Sequence, residues 1–267
     1  MTVPTEKPVR ILVALDASMQ NSSALGMAAA LAARCSAELR ALFVEDVNLI
    51  HLAGYPFAME IDSVSGVERK VDELTMARSL EDRIAQTRHI LTRVTRSTSV
   101  RATLRVVRGH YVAEAFSAAT EIDVLFLGRQ RFRTQRTSIK QTFRAVKDVS
   151  AQHTPLWLLF EGTDASVRAL AVANDLANSE GKKVRIAVRA ENAEQAGTLR
   201  KQLGALGHSV SDIRWVNNDA SGITDFLEMA KREGCGLVVA NRPSDRRSNE
   251  LVTIILKEAD CPVVLVA

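Results

Sequence analysis

The sequence predicts an α/β fold: two repeated, doubly wound parallel-sheet domains, each sheet carrying helices on both faces. Three observations carry this. Short apolar runs of strand length alternate with stretches of helical period along the whole chain. Alanine and valine dominate the apolar residues, which suits small-faced helices packed on a buried parallel sheet. The pattern also begins again near residue 154, so an internal repeat organises the chain. The expected domains are 1–153 and 154–267, the second shorter.

Arg10-Ile-Leu-Val-Ala-Leu15 is the first strand. Asp16 or Ser18 is placed to cap the alanine-rich helix from about Asn21 to Ala33. Glu38 to Val44 is the second strand, and the short joins imply a right-handed crossover. Val47 to Ile61 is too apolar for an ordinary loop and reads as a lid on its own domain, or as a contact with a partner chain. From Val67 to Val94 the apolar residues keep a helical rhythm, a long amphipathic helix with room for one break. Its arginines at 78, 83, 88 and 93 recur at every fifth position, which spreads them round a solvated surface. Val100 to Val107 alternates as a third strand. Gly109 turns the chain into a short helix, Val112 to Thr120, and Val124 to Leu127 is the fourth strand. A helix from about Ser138 to Val149 closes the first half.

Asp164-Ala-Ser166 then repeats Asp16-Ala-Ser18 after a strand and before a helix. Val184 to Val188, Asp212 to Val216 and Leu237 to Ala240 are strands. Helices are expected over Glu194 to Leu206, Ile223 to Lys231 and Asn249 to Ala259, with a last strand Cys261 to Val266. Only one strand, Leu156 to Phe160, lies at the junction, although each copy should have five. It is expected to be the central strand of the second copy, leaving the first without a fifth strand of its own. The fourth-strand edge would then need cover.

Composition narrows the classes. At 267 residues with a net charge of +4, the basic balance only tilts the chain towards anionic partners. No apolar run reaches membrane-spanning length, so no membrane partner is expected. Met1 to Pro8 has no signal-type apolar region. Cys35, Cys235 and Cys261 are far apart and odd in number, which implies neither a metal site nor a disulfide framework. A reduced, cytoplasmic protein with thiols acting as small hydrophobes is expected.

The stretch Ile122 to Lys140 bears most on function. An apolar strand ends at Gly128, and Arg129, Arg131, Arg133, Arg136 and Lys140 follow with no acid before Asp148. Strand, glycine turn, cationic loop and helix together suit phosphate. The same cluster also reads as a solvated loop, or as a nucleic-acid contact. Phe132 and Phe143 are too few aromatics for a stacking platform, so nucleic acid is the least favoured of the three.

The opening Ile11 to Ser18, the run Val124 to Gly128 and the closing Ala259 to Val266, in this order and repeated, resemble the universal stress protein family, as a tandem two-copy member. The resemblance implies a fold of adenine nucleotide alpha hydrolase type, a stress-response role and a habit of pairing. Two copies in one chain would form an intramolecular pseudo-dimer, and a homodimer is a further expectation. Some members bind ATP, with an aspartate after the first strand at the ribose and a glycine-rich loop after the fourth strand round the phosphates. The resemblance therefore places a weak ATP or AMP site, or one for another phosphate compound, at Asp16, Val44, Gly109, Leu127, Gly128, Arg129, Arg131 and Thr142. Arg131 stands where the family has its second glycine, and no glycine lies near Thr142. A degenerate second site falls on Asp164, Asn241 and Arg242, with Asn241 in place of the first glycine and available for a positive-φ turn.

Individual residues add little chemistry. Asp16 and Asp164 suit helix capping as well as ribose. His110 follows Gly109 and could meet a base or phosphate. Ser18 and Ser166 have no nearby histidine to activate them, and no paired-carboxylate metal site exists, so no catalytic residue is named. The expected function is a binding and signalling module without turnover. A scaffold acting through protein partners, a nucleic-acid binder using residues 129–147 and a weak nucleotide hydrolase remain alternatives.

Overall fold

β1 (Arg10–Leu15) is buried along Ile11 to Leu15, as a strand covered on both faces must be. It pairs in parallel with β2 (Glu38–Asp46) on one side and β6 (Val124–Leu127) on the other, Val13 lying opposite Ala41 and Phe126. β5 (Ala102–Gly109) runs parallel to β2, with Val44 opposite Val107. The order is β5-β2-β1-β6. The computed structural model describes residues 9–17, 21–61, 66–128, 154–207, 213–242, 252–256, 258–259 and 261–267. The chain divides into two units, Met1–Gly128 and Arg129–Ala267, the division falling ahead of the expected boundary at 153.

In the first unit, α1 (Asn21–Arg34) buries Ala24, Leu25, Ala28, Ala29, Leu31 and Ala32, and it packs on β1, β2 and β6. Methyl side chains bring the helix close to the sheet. Of the two caps expected for this helix, Ser18 lies outside the described residues and Asp16 directly follows β1. The apolar stretch after β2 begins as α2 (Val47–Ala53), whose N-cap Asp46 accepts a bond from Asn48 N at 2.8 Å. It continues into an antiparallel hairpin, β3 (Met59–Ile61) and β4 (Glu68–Lys70). Ala53, Ala58 and Val71, with Met76 against them, form a small core that holds this excursion to the body of the unit.

The long helix does not begin at Val67. α3 runs Glu73–Thr98, capped by Asp72, whose carboxylate accepts from Thr75 N at 2.8 Å. That bond also draws the Asp72 pKa below the ordinary carboxylate value. Val67 and Val71 stand four apart, a spacing that helix and hairpin both allow. The capping aspartate, not the apolar rhythm, marks where the helix starts. α4 (Tyr111–Ala118) packs on β2 and β5.

In the second unit β7 (Leu156–Phe160) is buried throughout and lies mid-sheet. Leu158 stands opposite Val239 of β10 (Leu237–Asn241) and Ile186 of β8 (Val184–Ala190). β9 (Ile213–Asn217) pairs with β8, and β11 (Val263–Val266) with β10, all in parallel. The order is β11-β10-β7-β8-β9. Its helices include α5 (Asp164–Glu180), α6 (Ala193–Ala205) and α7 (Ala220–Arg232), and residues 252–256 are helical as well. Trp157 of β7 meets Phe226 of α7 edge-on, centroids 5.9 Å apart. The Arg185 guanidinium lies 5.9 Å over the same indole and pairs with Glu233 at 2.5 Å. The cap of α5 is Thr163, which accepts from Ser166 N at 3.1 Å, and not Asp164. Asp164 is instead the first helical residue, where its charge favours the helix dipole.

α7 starts against its preceding strand. A Cβ on Gly222 would lie 2.1 Å from the Asn217 carbonyl oxygen and 2.8 Å from Asn217 N, backbone atoms that cannot swing aside. Gly222→Ala is therefore expected to cost about 1–3 kcal/mol in urea denaturation. An unchanged midpoint would show that the start of α7 can shift.

Candidate functional site

In an open parallel sheet a crevice forms at the carboxyl ends of the strands where the strand order reverses. In the first unit that point lies between β1 and β6. Asp16 directly follows β1 and Gly128 directly follows β6. The register sets Phe43 opposite Leu15, so Val44 is level with Asp16, and Leu127 is level with Ala14. Gly109 ends β5 opposite Asp46. The structure thus brings Asp16, Val44, Gly109, Leu127 and Gly128 to one sheet edge. Arg129, Arg131 and Thr142, with the rest of the basic stretch, lie outside the described residues.

The crevice already holds a side chain that the sequence did not single out. Tyr111, the first residue of α4, is 2% exposed. Its hydroxyl donates to the Ala14 carbonyl at 2.9 Å and accepts from Gly128 N–H at 3.0 Å. The same N–H lies 3.4 Å from Ala14 O. One phenol therefore bridges the ends of the strands on either side of the reversal. Burial, and then the charge of Asp16, push the Tyr111 pKa well above the usual tyrosine value, and the Gly128 N–H offsets this only in part.

Two other expected contacts face the protein itself. Gly109 lies against Glu114, whose Oε1 would be 2.5 Å from an added Cβ. A carboxylate there works against an anion. His110 occupies the N-cap position of α4 without a side-chain cap bond, its Nδ1 3.4 Å from Asn48 Nδ2.

In the second unit the reversal lies between β7 and β10. The residue after β7 is Glu161, so by strand position Glu161, and not Asp164, corresponds to Asp16. The letters Asp-Ala-Ser recur three residues later, at an exposed helix start. Glu161 Oε1 pairs with Arg189 at 2.6 Å, and Oε2 accepts from Asn241 Nδ2 at 3.1 Å. Asn241 Nδ2 also lies 2.9 Å from Ser166 Oγ and 3.3 Å from Thr163 Oγ1. Ser166 is fully buried and accepts from Glu161 N at 3.1 Å. Arg189 further donates to the Asn218 carbonyl at 3.3 Å.

Asn241 does not take a positive φ. It ends β10, and among the described non-glycine residues only Ser36 and Ser99 have positive φ. Its amide is bound to the carboxylate instead of turning the chain. Arg242 N donates to Val266 O at 2.6 Å. The Glu161–Arg189–Asn241 group was legible only as scattered polar residues, because three separate strands supply it.

Parallel strands with helices between them, and a crevice at each reversal of strand order, define an α/β protein of the doubly wound class. The sequence profile of the universal stress protein family matches residues 9–152, more than half of the chain. The chain belongs to the universal stress protein family. Among solved structures it is similar to a provisionally described universal stress protein from Pseudomonas aeruginosa UCBPP-PA14, at 11% identity and TM-score 0.50, covering 96% of this chain and 92% of that one. A functionally unknown protein from Pseudomonas aeruginosa PAO1 is similar at 10% identity and TM-score 0.50, with the same coverage, 96% and 92%. These likenesses concern the fold. A universal stress protein from Archaeoglobus fulgidus DSM 4304 aligns at 11% identity and TM-score 0.49 over 97% of this chain and 98% of that one. Comparison with curated proteins gave no match. Among the described residues no helix is long and apolar enough to cross a membrane, and no group of His, Cys, Asp and Glu is arranged to hold a metal ion.

Tyr111→Phe removes both hydroxyl bonds and leaves the Gly128 N–H with only its long contact to Ala14. It is expected to cost about 1–3 kcal/mol by chemical denaturation. The raised pKa has a definite sign. The protonated phenol stabilises the fold in full below the unfolded value near 10, and that contribution is lost as pH rises towards the folded value. The variant should therefore lose stability less steeply than wild type above about pH 10; parallel alkaline limbs would contradict this assignment.

Glu161→Ala would leave Arg189, whose side chain is 12% exposed, without its carboxylate. A loss of about 1–3 kcal/mol is expected, less than for a fully buried pair because Glu161 is 29% exposed. Thermal unfolding equal to wild type would show that the pair contributes nothing.

Proposed function

We propose that this protein is a stress-response binding and signalling module without turnover, built from two copies of one α/β unit, and that its first unit is a weak site for ATP, AMP or another phosphate compound. The observation that carries this is the difference between the two crevices. In the first unit a carboxylate, Asp16, and a glycine, Gly128, flank the strand reversal. In the second the corresponding space is taken by Glu161, Arg189 and Asn241. The second unit is accordingly a structural partner.

The fit of the first unit to a nucleotide is partial. Asp16, directly after β1, is the carboxylate that would meet a ribose hydroxyl, and Gly128, directly after β6, is the residue whose backbone a ligand would approach. The Gly128 N–H, however, is already bonded to Tyr111. An anion at that N–H has to replace a bond of about 1 kcal/mol, which keeps affinity low. Among the described residues no group of His, Cys, Asp and Glu is arranged to hold a metal ion that would support hydrolysis. The thiols of Cys35, Cys235 and Cys261 suit a reducing cytoplasmic setting.

Calorimetry with ATP and with AMP tests this. Wild type is expected to bind with a Kd of roughly 0.1–1 mM, about −5.5 to −4 kcal/mol. Asp16→Ala should weaken binding at least severalfold, Glu161→Ala should leave it unchanged, and no phosphate should be released. Heats near zero for both nucleotides would move the protein to the scaffold class, acting through protein partners alone.

A further inference from the structure

A cleft of 220 Å³ opens in the second unit between α6 and the edge strand β9, away from the strand reversal. Its floor is Val188 and Ile213. Val188 stands opposite Trp215 in the β8–β9 register, so the indole continues the same sheet face outward to the edge. α6 turns Ala193, Ala196 and Gly197 towards this face. These side chains are too short to reach the indole, and Trp215 remains 50% exposed. Trp157, the protein's other tryptophan, is fully buried.

Gly197 is not required by the fold. It lies inside a regular helix, where glycine is about 1 kcal/mol worse than alanine. A Cβ at this position would meet nothing within 4 Å. What its missing side chain does is keep the cleft open opposite the indole. Arg200 of α6 stands on the rim, Arg214 belongs by strand alternation to the opposite sheet face, and among the described residues no carboxylate lines the cleft. The volume corresponds to about seven waters, below the drug-sized range and enough for one aromatic ring with a substituent. Planar ring faces stack on an indole, and an arginine fork takes a carboxylate or sulfonate in two parallel bonds.

We propose that this cleft binds a small aromatic anion, its ring against Trp215 and its acid group at Arg200. The site is independent of the nucleotide site proposed above and involves no residue of it. The test uses the full chain and benzoate as the probe, read from the two tryptophan indole N–H resonances. The Trp215 signal should shift saturably with half-saturation at about 1–10 mM, as the ceiling per ligand atom allows. The Trp157 signal, from a buried indole, serves as an internal reference and should stay still.

Gly197→Leu should abolish the Trp215 shift while keeping or raising the melting temperature, because leucine favours the helix and fills the cleft. Arg200→Gln, an exposed change that does not depend on the first variant folding, should weaken benzoate at least threefold. Neutral benzamide should bind at least threefold more weakly than benzoate. The proposal is overturned if Trp215 is unmoved up to the solubility of benzoate, if Gly197→Leu folds and still responds, or if benzamide and Arg200→Gln match benzoate and wild type.

Discussion

A parallel sheet that reverses its strand order parts its covering helices at the reversal, and the backbone exposed there must find hydrogen-bond partners. That requirement governs both units. In the first, one neutral phenol from the start of α4 bonds Ala14 O and Gly128 N–H at once. In the second, an ion pair and an amide fill the place, with Ser166 and Thr163 adding hydroxyl contacts to the amide. The surrounding sequence follows from these solutions. Tyr111 needs a helix that begins directly after β5. Glu161 needs an arginine at position 189 of the neighbouring strand, within reach of the same strand end.

The two closures differ in how readily they open. Replacing a neutral hydrogen bond with a ligand's bond exchanges one contact of about 1 kcal/mol for another. Displacing Glu161 strands a guanidinium that is largely removed from water, at a cost of several kcal/mol where burial is complete. Of two topologically matching crevices, the first would open to a ligand at the lower cost for that reason, and not because of any difference in strand order. The family resemblance alone placed degenerate glycine loops in both halves. The side chains that occupy the crevices distinguish them on different grounds.

The strands were legible because each is an apolar run bounded by turn residues, and β1 and β7 are buried from end to end. The hairpin β3–β4 was not, because Val67 and Val71 fit a helix as well as a strand and the deciding bond is local, from Asp72 to Thr75. Asp164 and Asp16 stand at different distances from their strands, because Glu161, Gly162 and Thr163 lie between β7 and α5. Identical letters aligned where strand ends did not. Tyr111 carried no signal at all: a tyrosine at a helix start reads as ordinary packing, and its partner Ala14 lies 97 residues away.

Glycines show the same limit in a form that bears on function. Gly222 and Gly197 both lie in helices, and nothing adjacent in sequence tells them apart. At Gly222 the backbone of Asn217 leaves no room for a methyl group, so the residue is explained by packing. At Gly197 there is open space, and a residue that weakens its helix has no compensating contact in the fold. Gly26 and Gly204 lie in helices with the same open space, but at Gly197 that space faces a half-exposed indole with an arginine at the rim, and the combination points outward to something that is not part of the chain. The edge position of β9 strengthens the point. Side chains on an outer strand are normally chosen to be hydrated and to discourage pairing, and a tryptophan does neither unless something covers it.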